Sequence, residues 1–403
     1  MKLLKSNYKS KAQILEELMH HDLEEYDFYI KYSKHPRKLE KILSDFSKKL
    51  YYYNNIPYFG FKLERREAIE LLRYYKYERS ALGIDLKKSE AILESLDVSL
   101  EVKAFGFFNS KYKFMKSLPK IEQLWNLSLI GVYVSQNYGK GEKITIAIID
   151  TGVDYNNPDL KENFGKEKGY NFVDENEKPL DDNGHGTHVA GIVFGKSTGI
   201  ALESKIFALK VLDSNGSGNE FDVVRAIDWC IDNKINVLNM SLGSWYASNA
   251  LQDICKLASQ NIYLVAAAGN DGNSVYNYPA SCEGVISVAA IDKDKTRAYF
   301  SNYNDKVDIA APGVDIYSTY LDNSYEYLSG TSMATPHVTG CLALYLSVVK
   351  DKRYAEEVMK VTAEKLDSKN HNNEYGYGLI RVDKMLDFAL SKGDKNAIRR
   401  IIK

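Results

Sequence analysis

Four cysteines in 403 residues, Cys230, Cys255, Cys282 and Cys341, are too few and too irregularly spaced for a disulfide framework or a zinc cluster. They read as buried free thiols, the expected state in a reducing compartment. Neither charge is in excess. Lys and Arg number 53 against 54 Asp and Glu, which removes the usual reason to expect nucleic acid or an anionic membrane as partner. No run approaches the roughly 18 apolar residues of a membrane span. The basic start Met1-Lys2-Leu3-Leu4-Lys5 is not followed by an apolar stretch of signal-peptide length. The expectation is a cytoplasmic protein without a membrane or nucleic-acid partner.

What is present is enough for two domains, with an ordinary 44% hydrophobic fraction. The charge is unevenly divided: residues 1–118 hold 23 Lys and Arg against 17 Asp and Glu, leaving 30 against 37 for the remainder. A front part at +6 can be drawn to a back part at −7. Residues 1–25 read as a polar helix, 28–32 and 57–63 as strands, and 36–50 and 64–75 as helices. That order predicts a small α+β unit. Val98, Leu100 and Val102 alternate as a last strand, and the aromatic, basic stretch from Phe105 to Lys113 reads as an exposed connection.

From about residue 121 the pattern changes. Ile144–Ile149, Ile206–Val211, Val237–Met240, Ile262–Ala267 and Val285–Ala289 are five nearly all-apolar runs, as in strands buried on both faces of a parallel sheet. Helical stretches such as Asp222–Lys234 and Ala250–Gln260 supply crossovers, and a three-layer α/β domain with a mostly parallel sheet follows. In such sheets ligands sit beyond the carboxyl ends of the strands. Asp150, the segment Asn239–Gly243 and Asn270 each follow one of these runs, so they converge on one sheet edge.

Three stretches there carry chemistry: Ile148-Ile149-Asp150-Thr151-Gly152, Asp182-Asn183-Gly184-His185-Gly186-Thr187-His188, and Gly330-Thr331-Ser332-Met333-Ala334-Thr335-Pro336-His337. Ser332 stands where a loop enters a helix, which suits a nucleophile. An Asp, a His and a Ser on separate elements can form a relay in which imidazole takes the hydroxyl proton and a carboxylate fixes its tautomer. Spacing alone does not separate His185 from His188, three apart on a helix. A metal reading of these histidines with Asp150 lacks further ligands at recognisable spacing.

Together the three stretches resemble the subtilisin-like serine proteases, over roughly residues 121–388. The order Asp, His, Ser is that family's, with 35 residues from Asp150 to His185 and 147 from His185 to Ser332. The resemblance implies Asp150 as orienter, His185 as general base then acid, Ser332 as nucleophile and Asn270 as oxyanion donor, with His188 and His337 structural. It also implies that Gly216, Ser217 and Gly218 on one side, and Ser241, Leu242 and Gly243 on the other, flank an extended peptide or protein substrate. Asn277 falls at the base of the S1 pocket and Glu220 at S4, from which a smaller, more polar S1 and tolerance of a basic P4 residue are expected. Asp159 matches a calcium-binding carboxylate of relatives, but the partner loop, 192–209, is short and poor in oxygen ligands. The strong calcium site is expected to be absent, with no cofactor required and no metal ligand assigned.

The domains are then an α+β inhibitory prodomain with an N-terminal helix (1–118), a subtilisin-like catalytic domain (119–390) and a basic tail (391–403). The expected protein is a serine endopeptidase acting through an acyl-enzyme. It is made as a zymogen that its own prodomain restrains and that cuts itself between about Lys103 and Ile121. A catalytically silent relative, acting as scaffold or signalling partner, is the competing expectation.

Overall fold

In a computed structural model the chain is described over residues 25–31, 50–56, 58–64, 96–98, 101–108, 124–349 and 353–391. It divides into two compact units, one of residues 1–100 with 246–254, the other of 101–245 with 255–403.

In the first unit β1 (Glu25–Lys31), β2 (Leu50–Tyr52), β3 (Tyr58–Glu64) and β4 (Leu96–Val98) form an antiparallel sheet ordered β2-β3-β1-β4. Phe28 stands opposite Phe61 on one side and Val98 on the other. Tyr29, Tyr58 and Phe61 are buried, and the Tyr58 hydroxyl donates to Asp253 Oδ2 at 3.0 Å. Bulky aromatics suit a pleated, half-buried surface and each buries a large apolar area. The helices expected over 1–25, 36–50 and 64–75 lie outside the described residues, apart from end residues 25, 50 and 64, which are in strands. The tail 392–403 also lies outside them.

The second unit opens with two short strands, β5 (Glu101–Ala104) and β6 (Phe107–Phe108), then helices α1 (Trp125–Leu129) and α2 (Val132–Ser135). Its frame is a seven-stranded sheet built from β7 (Thr145–Asp150), β8 (Phe164–Asn171), β9 (Lys205–Lys210), β11 (Val237–Met240), β13 (Tyr263–Ala267), β14 (Val285–Ile291) and β15 (Val307–Pro312). All pairs are parallel, in the order β15-β14-β13-β11-β7-β9-β8. The chain also passes through α3 (His185–Phe194), β10 (Ser217–Asn219), α4 (Glu220–Asp232), β12 (Leu242–Gly243), α5 (Asn249–Ala258), β16 (Ile316–Thr319), β17 (Tyr325–Ser329) and α6 (Thr331–Val348).

The five apolar runs are the five central strands, and the fold is the three-layer α/β architecture that they predict. The two strands that the pattern did not reveal, β8 and β15, are the sheet's edges. Only β8 is largely polar, with Lys166 and Glu167 exposed at its middle. Ile146, Ile148, Val237, Val265 and Val288 are fully buried beneath α3 and α6, which are themselves buried nearly all round. Each such side chain stabilises the fold by about 1.5–3 kcal/mol. Helix α4 begins where Asn219 accepts the Asp222 N–H at 2.9 Å, with Glu220 and Asp222 in its first turn, where carboxylates suit the helix dipole.

Register positions the site. Ile149 pairs with Met240, and Met240 with Ala266, so the chain leaves β7, β11 and β13 side by side at one sheet edge. Asp150 closes β7, Ser241 follows β11 at once, and Asn270 stands three residues beyond β13.

Candidate active site

Asp150 ends β7, fully buried, and its Oδ1 lies 2.7 Å from His185 Nδ1. The same oxygen accepts the Thr151 N–H at 2.7 Å, so the carboxylate cannot swing without losing two partners. In the neutral imidazole with Nδ1–H donating to Asp150, Nε2 carries the lone pair. Burial favours the neutral imidazole, yet the Asp150 carboxylate, with Asp181 beyond, more than offsets it and holds the His185 pKa above its ordinary value.

The turn before His185 is held by Asp181, which the motif matching missed. Its carboxylate accepts the N–H groups of Asn183, Gly184 and Thr187 and the hydroxyls of Thr151 and Thr187, at 2.6–3.0 Å. Thr151 Oγ1 in turn accepts the Gly186 N–H at 2.9 Å, tying the Asp150 loop to the His185 helix. The buried Lys210 ammonium spans Thr151 O, Leu212 O and Asp182 Oδ1. The only sequence signal for this bracing was an acidic residue just outside the quoted motif.

His188, one turn along, makes no such contact. Its Nε2–H is shared between the Ile316 and Glu326 carbonyls at 3.0 Å, and burial lowers its pKa to about 3. His337 donates from Nδ1 to Met333 O at 2.7 Å, so Nε2 accepts from Asn126 Nδ2 at 2.8 Å; burial lowers its pKa to about 4. Both stay neutral in the folded protein but gain a proton on unfolding below the ordinary 6.5. Their stabilising contribution is therefore complete above pH 6.5 and lost as pH falls toward 4 and 3. The melting temperature of an inactive variant, measured by calorimetry from pH 7 down to pH 4, is expected to fall throughout that interval.

Ser332 is the second residue of α6. Its hydroxyl donates to Ser241 O at 2.8 Å, and His185 Nε2 makes no hydrogen bond among the described residues. The Asp–His link is thus formed and the Ser–His link is not. Ser241 Oγ answers by donating to Ser332 O at 2.9 Å, with Asn239 and Thr339 continuing the network.

Residues 101–108, the end of the expected last strand and the start of the expected exposed connection, are paired along this cleft, and 109–113 of that connection lie outside the described residues. Strand β5 pairs antiparallel with β10 (Ser217 opposite Lys103, Gly218 opposite Val102) and with β12 (Leu242 opposite Ala104). Ala104 N–H donates to Gly216 O at 3.0 Å and Phe105 N–H to Ser241 O at 3.2 Å. Beyond the site β6 pairs with β17, Phe107 opposite Ser329. Unpaired sheet edges on both sides recruit the stretch, an effect invisible in its own periodicity.

Between these ladders the Phe105 carbonyl oxygen accepts the Ser332 N–H at 3.1 Å and Asn270 Nδ2 at 2.9 Å. The Asn270 amide cannot be reversed, because its Oδ1 accepts both the N–H and the hydroxyl of Thr331. A Cβ on Gly330 would lie 2.2 Å from that carbonyl oxygen, so only glycine lets it approach. The Phe105 ring lies over Gly243, where a Cβ would meet it at 2.6 Å. Of the other predicted substrate residues, Asn277 is buried with its amide against Gly269 and Asp271, and Glu220 is buried at the start of α4.

Two donors aimed at one carbonyl oxygen stabilise the charge that develops there when a tetrahedral centre forms. Asn270→Ala is expected to lower kcat about 10²–10³-fold with little change in KM, a scale carried over from subtilisin rather than derived from this chain. Steady-state kinetics on a peptide substrate checks it.

Asp159 Oδ2 accepts the Tyr325 hydroxyl at 2.9 Å, and among the described residues no three His, Cys, Asp or Glu side chains converge. No helix of the described residues is long and apolar enough to cross a membrane.

Against known proteins, the profile of the Subtilase family matches residues 141–378. A thermophilic serine proteinase of Bacillus sp. (strain AK1) is 44% identical over 239 residues, 57% of this chain and 59% of that protein. A thermostable alkaline protease of Halalkalibacterium halodurans is 43% identical over 277 residues, 67% of this chain and 73% of that one. The minor extracellular protease Epr of Bacillus subtilis is 40% identical over 271 residues, 64% of this chain and 41% of that protein.

Proposed function

The chain belongs to the subtilase family, and we propose that it is a serine endopeptidase, made as a zymogen, whose first substrate is its own Phe105–Gly106 bond. The observation that carries this reading is the Phe105 carbonyl between Ser332 N–H and Asn270 Nδ2, with the chain paired to the cleft on both sides. Lys103, Ala104 and Phe105 then occupy the P3, P2 and P1 positions, and Gly106 the P1′ position.

The Ser332 hydroxyl first turns from Ser241 O to His185 Nε2. Its oxygen attacks the Phe105 carbonyl carbon while its proton passes to Nε2, and Asp150 stabilises the imidazolium. The C–N bond to Gly106 breaks as Nε2 returns the proton to the Gly106 nitrogen. Water, deprotonated by the same nitrogen, then releases Phe105 from the ester. The inhibitory part, drawn at 1–118 from composition, ends in this reading at Phe105, and its carboxyl-terminal stretch stays in the cleft as a product until displaced.

Peptide and protein chains that form the same ladders with β10 and β12 are the other substrates. Four buried free cysteines favour a reducing, cytoplasmic setting, although one relative is named extracellular. A silent relative is the second reading, favoured by the Ser332 hydroxyl resting on Ser241. Labelling with a fluorophosphonate separates the two: the enzyme is labelled at Ser332 and yields a chain beginning at Gly106, whereas the scaffold does neither.

A further inference from the structure

We infer that the position after the cut bond is reserved for glycine in this protein, so that it cleaves chains where glycine is the leaving residue; this rests on the Phe105–Gly106 register proposed above. A Cβ placed on Gly106 would lie 2.7 Å from both Cδ2 and Nε2 of His185, and 3.4 Å from Cε of Met333. Carbon atoms rest at about 3.5–4.0 Å. Nearly 1 Å would have to come from some neighbour.

The imidazole cannot supply it and stay useful. His185 is 5% exposed and anchored at 2.7 Å to Asp150, whose oxygen is tied again to Thr151. Turning the ring away breaks the link that fixes its tautomer. The scissile bond cannot retreat either. Phe105 O is held by two donors, so moving the bond away breaks both. Sliding along the chain is opposed by the pairing of Phe107 with Ser329. A cavity of about 220 Å³ adjoins Ala104, Gly106, Asn183 and Tyr320, but a side chain of L configuration leaves residue 106 toward the ring.

The crowding falls on the base itself. A larger residue at this position displaces Nε2 from the path between Ser332 and the leaving nitrogen, so the loss appears in kcat while the ladders of residues 101–105 hold KM. Ordinary pocket selectivity would raise KM instead.

The test uses purified wild-type protein and three peptides, Glu-Val-Lys-Ala-Phe-Xaa-Phe-Phe with Xaa as Gly, Ala or Leu. Expected is a kcat at least about tenfold lower for Ala than for Gly, lower still for Leu, with KM changed less than about threefold. Gly106→Ala in the full chain is expected to cut itself at least about tenfold more slowly, while its own melting temperature, equal to that of uncut Ser332→Ala, shows that it is folded. Equal kcat for the Gly and Ala peptides would overturn the inference. If Ser332 is labelled but the Gly peptide is cut elsewhere, the register fails and the inference with it. If nothing is labelled and no peptide is cut, the endopeptidase reading itself falls.

Discussion

Ser332→Ala should accumulate as one uncut chain, whereas the wild type should yield a new N-terminus at Gly106. The variant removes the Ser332 hydroxyl and leaves in place the two donors that hold the Phe105 carbonyl oxygen. Hydrolysis of an added peptide should drop by about 10⁶-fold, the scale of removing this nucleophile in subtilisin. Intact mass and N-terminal sequencing read the first result, steady-state kinetics the second. Because the bond to be cut belongs to the same chain as the serine, the cut is effectively unimolecular. Its half-time should not change on tenfold dilution, whereas cutting between molecules would slow in proportion. An uncut wild type that is fully active would sink the zymogen reading, and a wild-type N-terminus away from Gly106 would sink the register.

The central strands were legible because burial on both faces writes an uninterrupted apolar run, and the site because Asp150, Ser241 and Asn270 each follow such a run at its carboxyl end. Edges were harder. Strand β8 meets solvent along its middle, and its polar residues carry no apolar run. Strand β5 was legible only through Val102, the end of the alternation read as a last strand, and β6 showed no pattern of its own, since what pairs both is the hydrogen-bonding edge of β10, β12 and β17, contributed from more than a hundred residues away. For the same reason Asp181 escaped notice: five donors converge on it only after the Asp150 loop and the His185 turn are brought together. Catalytic motifs are local in sequence, whereas the bracing that holds them is local only in space.

Asp150→Ala is expected to cost on the order of 10⁴-fold in kcat, a scale known from subtilisin, and the pH dependence of the variant says why. Catalysis requires Nε2 unprotonated, so activity is present above the His185 pKa and lost as pH falls through it. In the wild type that pKa stands above its ordinary 6.5 because Asp150 and Asp181 outweigh burial. Without Asp150, burial prevails and the acid limb of kcat/KM should move to lower pH. Asp150→Asn divides the effect. Thr151 N–H and His185 Nδ1–H converge on the one oxygen Oδ1, so an amide must present its carbonyl there, and the imidazole keeps its tautomer. The charge is lost but the orientation survives. The Asn variant should therefore be at least about tenfold more active than Ala, with its acid limb displaced in the same direction. If Asn and Ala prove equally poor, orientation by Oδ1 is not what Asp150 contributes, and if neither limb moves, its charge is not what holds the His185 pKa up.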